Sequence, residues 1–254
     1  MSYMFNVCKS LETIVFGEKF STSNVTSMMY MFTSCSKLVG LDVSGFNTSK
    51  VTTMYSMFYK CSSLTSLDVD EFDTSKVTNM YQMFAGCSNL TYLNVSGFET
   101  SNVTFDSSYP NLYGFGAMFY NCSSLTELDV SNFNTENAYN FGSMFANCSS
   151  LTKIIFSEKF KATNARYVSR MFYGCSSLKD LDLSGFNTSN VTDMSEMFHN
   201  CSNLNEITFG EYFKTNNVTT INSMFNGCSN FEFVFPAISS IFQLSIFIDT
   251  CPSY

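Results

Sequence analysis

A chain of 254 residues with 45% apolar residues can bury a sizeable core, which argues against disorder. With 28 Phe, 15 Met, 10 Cys, no Trp and one His, and only 13% charged residues against roughly 25% in an ordinary domain, something other than a mixed globular core sets the composition. A net charge of −8 with no Lys/Arg cluster argues against nucleic acid, no window reaches the about 18 uninterrupted apolar residues of a membrane span, and the opening MSYMFNVCKSLETIVF lacks the charged-then-apolar order of a secretory signal.

In chain order the first feature is Met4-Phe5, two residues and Cys8, and Met-Phe precedes every cysteine in this way as far as Cys228. The gaps between successive cysteines are 27, 26, 26, 35, 26, 27, 26, 27 and 23 residues. Such a ruler is the signature of a stacked repeat. After each cysteine comes a period-two stretch, as at Leu41 and Val43, Leu67 and Val69, Leu93 and Val95, Leu128 and Val130, and Leu181 and Leu183, which predicts a short strand buried on one face. A turn follows in two lengths: LDVSGF-type coils have 26 residues, whereas IVFGEKF (14–20), IIFSEKF (154–160) and ITFGEYF (207–213) add one. Then Val51, Met54, Met57 and Phe58, repeated as Val77, Met80, Met83 and Phe84, step by three and four after Thr-Ser, which predicts a short capped helical segment. The 35-residue gap is one coil plus nine residues inserted within 104–114, with Tyr109, Pro110 and Tyr113. The array is expected to span 1–230, with 231–254 a degenerate terminal coil or cap.

One coil buries too little to fold alone, so stacking must supply the rest, each side chain lying against its own copy one rung away. The expected ladders are Cys8, Cys35, Cys61, Cys87, Cys122, Cys148, Cys175, Cys201 and Cys228, beside Phe32, Phe58, Phe84, Phe119, Phe145, Phe172, Phe198 and Phe225. A 26-residue spacing with one His suits no metal site. In-register cysteines also point the same way, with Cβ atoms near the rung spacing of about 4.8 Å, longer than the roughly 3.8 Å a disulfide prefers. A buried column of free thiols is therefore expected, Cys8 and Cys251 being the least constrained.

The phrase MFxxCSSLTxLDxSxFNTSNVTxM, with its L-x-x-L-x-V/L-x-x-F core, resembles the BspA-like leucine-rich-repeat surface proteins of bacteria and some protists over residues 1 to about 235. The resemblance implies a parallel-sheet solenoid with a role in adhesion or binding at a cell surface, and carries no catalytic residues. The expected fold is thus an α/β solenoid, a leucine-rich-repeat-like right-handed array of about nine coils of 26–27 residues, with one parallel β-sheet and short helical segments. The expected function is non-enzymatic protein binding or adhesion, without cofactor, extracellular or at the cell surface. Two alternatives stay open: a filament or particle component stacking through uncapped solenoid ends, and a glycan- or calcium-binding solenoid.

Candidate contact residues follow from exposed columns. Asp42, Asp68, Asn94, Asp129, Ile155 and Asp182 share one outward position, where carboxylates one rung apart are either solvated or bridged by a cation such as calcium, with Ser44, Asp70, Ser96 and Ser131 alongside. Open to water, they lack the means of separating their pKa values that acid–base catalysis needs. Tyr55 and Tyr59 lie four apart on one predicted helical segment, Tyr81 repeats Tyr55 in the next coil and Tyr30 flanks it in the previous one, so these tyrosines either form a patch for a protein or glycan or merely seal the stack. The insertion with Tyr109 and Tyr113 is a second candidate. His199 occupies a variable position and reads as a surface residue. Asn24, Asn102, Asn190 and Asn217 head Asn-x-Ser/Thr triplets that the repeat explains without a sugar.

Overall fold

Alternation sends Leu67 inward between exposed Ser66 and Asp68, and these three residues form strand β1 (Ser66–Asp68). The same rule builds β2 (Tyr92–Asn94), β3 (Glu127–Asp129), β4 (Lys153–Ile155), β5 (Asp180–Leu183) and β6 (Glu206–Phe209) in the computed structural model, which describes residues 1–104 and 112–231. Pairing is parallel and in register with the repeat, Leu67 opposite Leu93, Leu128 opposite Ile154 and Leu181 opposite Ile207. Each strand thus pairs with its own copy in one adjacent coil, as stacking repeats allow.

Two expectations need correction. The single sheet is instead three two-stranded sheets, β1–β2, β3–β4 and β5–β6. Ring spacing gives the reason. The Phe column beside the cysteines stacks nearly parallel at 5.7 Å from Phe32 to Phe58, Phe58 to Phe84, Phe84 to Phe119 and Phe119 to Phe145. On the strand side Phe46–Phe72 and Phe98–Phe133 are as parallel but 6.3 and 6.2 Å apart. When like rings are parallel their separation measures the rung step, so the coils fan apart toward the strands and hydrogen-bond contact there is intermittent.

Nor is there any helix among the described residues. The Met-x-x-Met-Phe-x-x-Cys stretch is a run of tight turns: the N–H groups of Met57, Tyr59 and Cys61 donate to the carbonyls of Met54, Ser56 and Phe58. Ser56 and Lys60 sit in the left-handed region at φ 50° and 57°, and every coil repeats the pair, as at Tyr30 and Ser34 or Gln82 and Gly86. A helix would spend its N–H groups four residues back within the coil. Here Met54, Ser56, Phe58 and Lys60 instead donate to Asn79, Tyr81, Met83 and Ala85 of the next coil at 2.7–3.1 Å. All four bonds run forward, so the peptide dipoles align along the stack. This ladder is the continuous one.

The corners of each coil are turned by side chains that accept the N–H two residues on. Asp42 holds Ser44, Asn47 holds Ser49 and Thr53 holds Tyr55, and the pattern recurs along the chain, for example at Asp182, Asn187 and Asp193. Such turns need a short polar side chain. Buried threonines also bridge the coils: the hydroxyls of Thr22, Thr48, Thr74, Thr100 and Thr188 donate to the carbonyls of Asn47, Asp73, Glu99, Asn134 and Lys214.

Candidate functional site

The cysteine column is a column of free thiols, buried from Cys35 to Cys228, with Cys8 half-buried and Cys251 outside the described residues. These thiols do more than fill space. Each buried Sγ–H donates to the carbonyl of the preceding coil's ladder phenylalanine at 2.9–3.2 Å, as Cys61 to Phe32 and Cys175 to Phe145. That carbonyl already accepts its own coil's Cys N–H, so the thiol occupies its second lone pair. Burial disfavours the thiolate and pushes Cys35 up to about 11 and Cys87 and Cys148 up to about 12. The interior of the column is chemically quiet, whereas at its far end the neighbouring Cys201 thiol holds Cys228 below the ordinary thiol range. Among the described residues no group of three His, Cys, Asp or Glu is arranged to hold a metal.

The aspartate column serves its corner turns. Oδ1 of Asp42, Asp68 and Asp129 accepts the N–H of Ser44, Asp70 and Ser131 at 3.0, 3.2 and 2.9 Å. The Ser44 hydroxyl and N–H hold Asp42 below the ordinary carboxylate range, whereas the neighbouring Asp68 carboxylate raises Asp70. The sequon asparagines are engaged too: Nδ2 of Asn102, Asn190 and Asn217 donates to a carbonyl of the previous coil, and Oδ1 of Asn24 accepts from Lys50.

Three of the chosen tyrosines come together. Half-buried Tyr30, Tyr55 and Tyr81 continue a ring column from exposed Tyr3, with successive centroids 4.9, 5.0 and 5.4 Å apart. Burial and the adjacent Tyr30 hydroxyl raise the pKa of Tyr55. The far end is sealed where Tyr81 lies on Gly116, so close that a Cβ there would meet the ring at 2.9 Å. Tyr59 is not in the stack; with no helix to bring positions four apart onto one face, it lies beside Lys60, whose Nζ is 5.1 Å from its ring. Tyr109 lies outside the described residues, and Tyr113 is half-buried. His199 is more enclosed than its variable position implied, flat on Tyr173 at 5.0 Å with Nδ1 buried.

Sequence reasoning missed a slot. No described backbone hydrogen bond joins residues 153–160 to 180–186, and between these coils lies an open groove of about 560 Å³. Phe156 and Phe160 pack at a tilt with centroids 4.6 Å apart on one wall, Asp182 and Gly185 lie on the other, and Glu158 stands at the lining. The signal was present: this is where a 27-residue coil, with Phe in place of the inward Val and one extra turn residue, meets a 26-residue coil. The junction of 13–20 with 40–46 repeats that order, likewise with no described backbone bond across it and with Phe16 and Phe20 stacked at 4.4 Å.

No curated relative matches the chain. Among solved structures it is similar to a leucine-rich repeat protein from Bacteroides ovatus (17% identity, TM-score 0.41, 91% of this chain and 68% of that one). It is likewise similar to the leucine-rich repeat protein of T. pallidum (20%, TM-score 0.43, 72% and 73%) and to a leucine rich cell surface protein from Faecalibacterium prausnitzii (17%, TM-score 0.36, 100% and 79%). One family profile matches residues 1–111, 66–179 and 114–236, together almost the whole solenoid, and the chain belongs to that family, described as Mycoplasma protein of unknown function, DUF285.

Proposed function

We propose that the chain is a non-enzymatic protein-binding module of a cell-surface or secreted leucine-rich-repeat protein. The observation that carries this reading is where the polar chemistry goes. Thiols, buried threonines and sequon amides are spent on adjacent coils, and corner Asp and Asn residues on the turns of their own coil, which leaves a rigid frame with its exposed columns open to contact. A frame of that kind suits recognition, because little ordering entropy is lost on binding. The Tyr30–Tyr55–Tyr81 flank, Tyr59, and the insertion with Tyr109 and Tyr113 are the proposed contacts, and the resemblance to leucine-rich-repeat surface proteins supports the cell-surface location.

The test is saturable binding of fluorescent chain to intact cells, competed by unlabelled chain, and compared with a form lacking residues 105–111 and with Tyr30→Ala and Tyr59→Ala. Loss on prior protease treatment of the cells supports a protein partner; loss only on periodate treatment assigns the site to a glycan. No saturable binding removes the reading.

A further inference from the structure

We propose that the two slots, at the junctions of 13–20 with 40–46 and of 153–160 with 180–186, are docking points for arginine side chains of a protein partner. This rests on the protein-binding reading above and names the chemistry of the contact.

The slots are a built feature. Where the ladder is intact, the glycine after the strand presses on the previous coil: a Cβ on Gly97 would lie 1.7 Å from the Asp70 carbonyl oxygen, and one on Gly210 1.8 Å from that of Ser184. At Gly45 and Gly185, the matching positions after each Phe-x-Glu-Lys-Phe coil, a Cβ would meet nothing within 4 Å. The same sequence order leaves the same empty space twice.

The fold itself shows what fits there. At the junction of 93–98 with 128–133, also without a backbone ladder, the glycine position holds Asn132. Its Nδ2 fills the gap, donating to the carbonyls of Val95, Ser96 and Phe98 at 3.3, 2.8 and 2.8 Å. The Asn132 Oδ1 is left buried without a partner. The gap therefore wants a planar nitrogen group that donates and does not accept, which describes a guanidinium better than an amide. At the open slots the matching carbonyls belong to Phe156, Ser157 and Phe160, and to Phe16, Gly17 and Phe20; no described donor reaches those of the four phenylalanines. The second slot adds a carboxylate from either coil, Glu158 and Asp182, and an aromatic wall for the side-chain stem, and the repeat puts Glu18 and Asp42 at the matching positions of the first. The chain's net charge of −8 favours a basic partner in the same sense. Lys153 also lines the second slot, where the first has Thr13, so the first is the stronger of the two.

The slots share one side of the stack five rungs apart, roughly 30 Å at a strand-side step of about 6 Å; two arginines eight residues apart in an extended segment are about 27 Å apart at about 3.4 Å per residue, and their long side chains cover the remainder. The probe is a labelled twelve-residue peptide with that spacing, read by fluorescence anisotropy beside its citrulline analogue. The arginine peptide binds, and the citrulline form binds at least tenfold more weakly. Gly45→Leu with Gly185→Leu fills both slots without strain, since neither position needs a left-handed backbone, and lowers affinity at least tenfold at unchanged melting temperature. Asp42→Asn with Asp182→Asn keeps both corner turns, as Asn94 does in the same column, and weakens binding severalfold. Equal affinity of the two peptides, unchanged binding by the filled variant, or no binding at all overturns the proposal. Cell binding that survives in the filled variant would sink the slots and leave the module standing; absence of cell binding in the wild type would sink the module itself.

Discussion

At the scale of single residues, the repeated cysteine is explained by a demand that no other side chain meets as well. The position needs a small apolar volume and also a weak donor for the second lone pair of a buried carbonyl; Ala lacks the donor, and Ser brings a hydroxyl that is costlier to bury. Reactivity follows. An alkylating reagent should leave the eight buried thiols of the folded chain unmodified and reach Cys8, whereas urea should expose all ten, counted by mass. The alkaline limb of stability follows as well. Burial keeps Cys87 and Cys148 neutral up to about 12 when folded, above the ordinary thiol value of about 9.0, so their share of stability is intact below pH 9 and is lost as pH rises from there toward 12. At pH 10 each such thiol lowers folding stability, by on the order of 1 kcal/mol. Urea melts at pH 7 and pH 10 should show this, and Cys87→Ala should remove one thiol's portion of the difference. A pH-independent midpoint would mean that the column is hydrated.

At the scale of the element, the three-and-four spacing of Val51, Met54, Met57 and Phe58 reads as a helix because consecutive tight turns bring side chains inward at nearly the helical interval. The distinguishing mark lay one residue before the cysteine. Gly86, Asn121, Asn147, Gly174, Asn200 and Gly227 are the residue types that tolerate a left-handed backbone, and all have positive φ. Strand positions and the stacked Phe and Cys columns were legible, since they depend only on the period; the broken sheet was not, because it arises from a difference of half an ångström in rung step between the two sides. The slots depended on a single extra residue, visible as a gap of 27 but without meaning until a neighbouring coil failed to pair. Two substitutions test this account by melting temperature. Lys60→Gly relieves a left-handed non-glycine and should stabilise by about 1 kcal/mol, some 2–4 °C. Gly97→Ala should cost at least about 2 kcal/mol through its clash with the Asp70 carbonyl, while Gly185→Ala should stay within about 0.5 kcal/mol.

At the scale of the whole molecule, stability is a chain of neighbour contacts, so its weakest junction sets where cooperativity fails. The junction after residue 160 has lost its strand-side ladder. It is held by the forward bonds of Phe141, Ser143, Phe145 and Asn147 to Tyr167, Ser169, Met171 and Tyr173, and by the Phe145–Phe172 stack at 5.5 Å. Truncating that ring in Phe172→Ala removes a buried aromatic worth about 3–5 kcal/mol from the side that still carries backbone bonds. Hydrogen exchange followed by mass spectrometry should then divide the molecule there in mild urea. Peptides within 112–160 should keep the protection of the wild type, whereas those within 180–231 exchange earlier. The same truncation at Phe84, where β1 and β2 still pair on the strand side, should leave the protected block undivided at its own junction. Uniform loss of protection in the Phe172 variant would mean that the aligned ladder alone carries cooperativity across the slot, and that the strand side contributes nothing to holding the coils together.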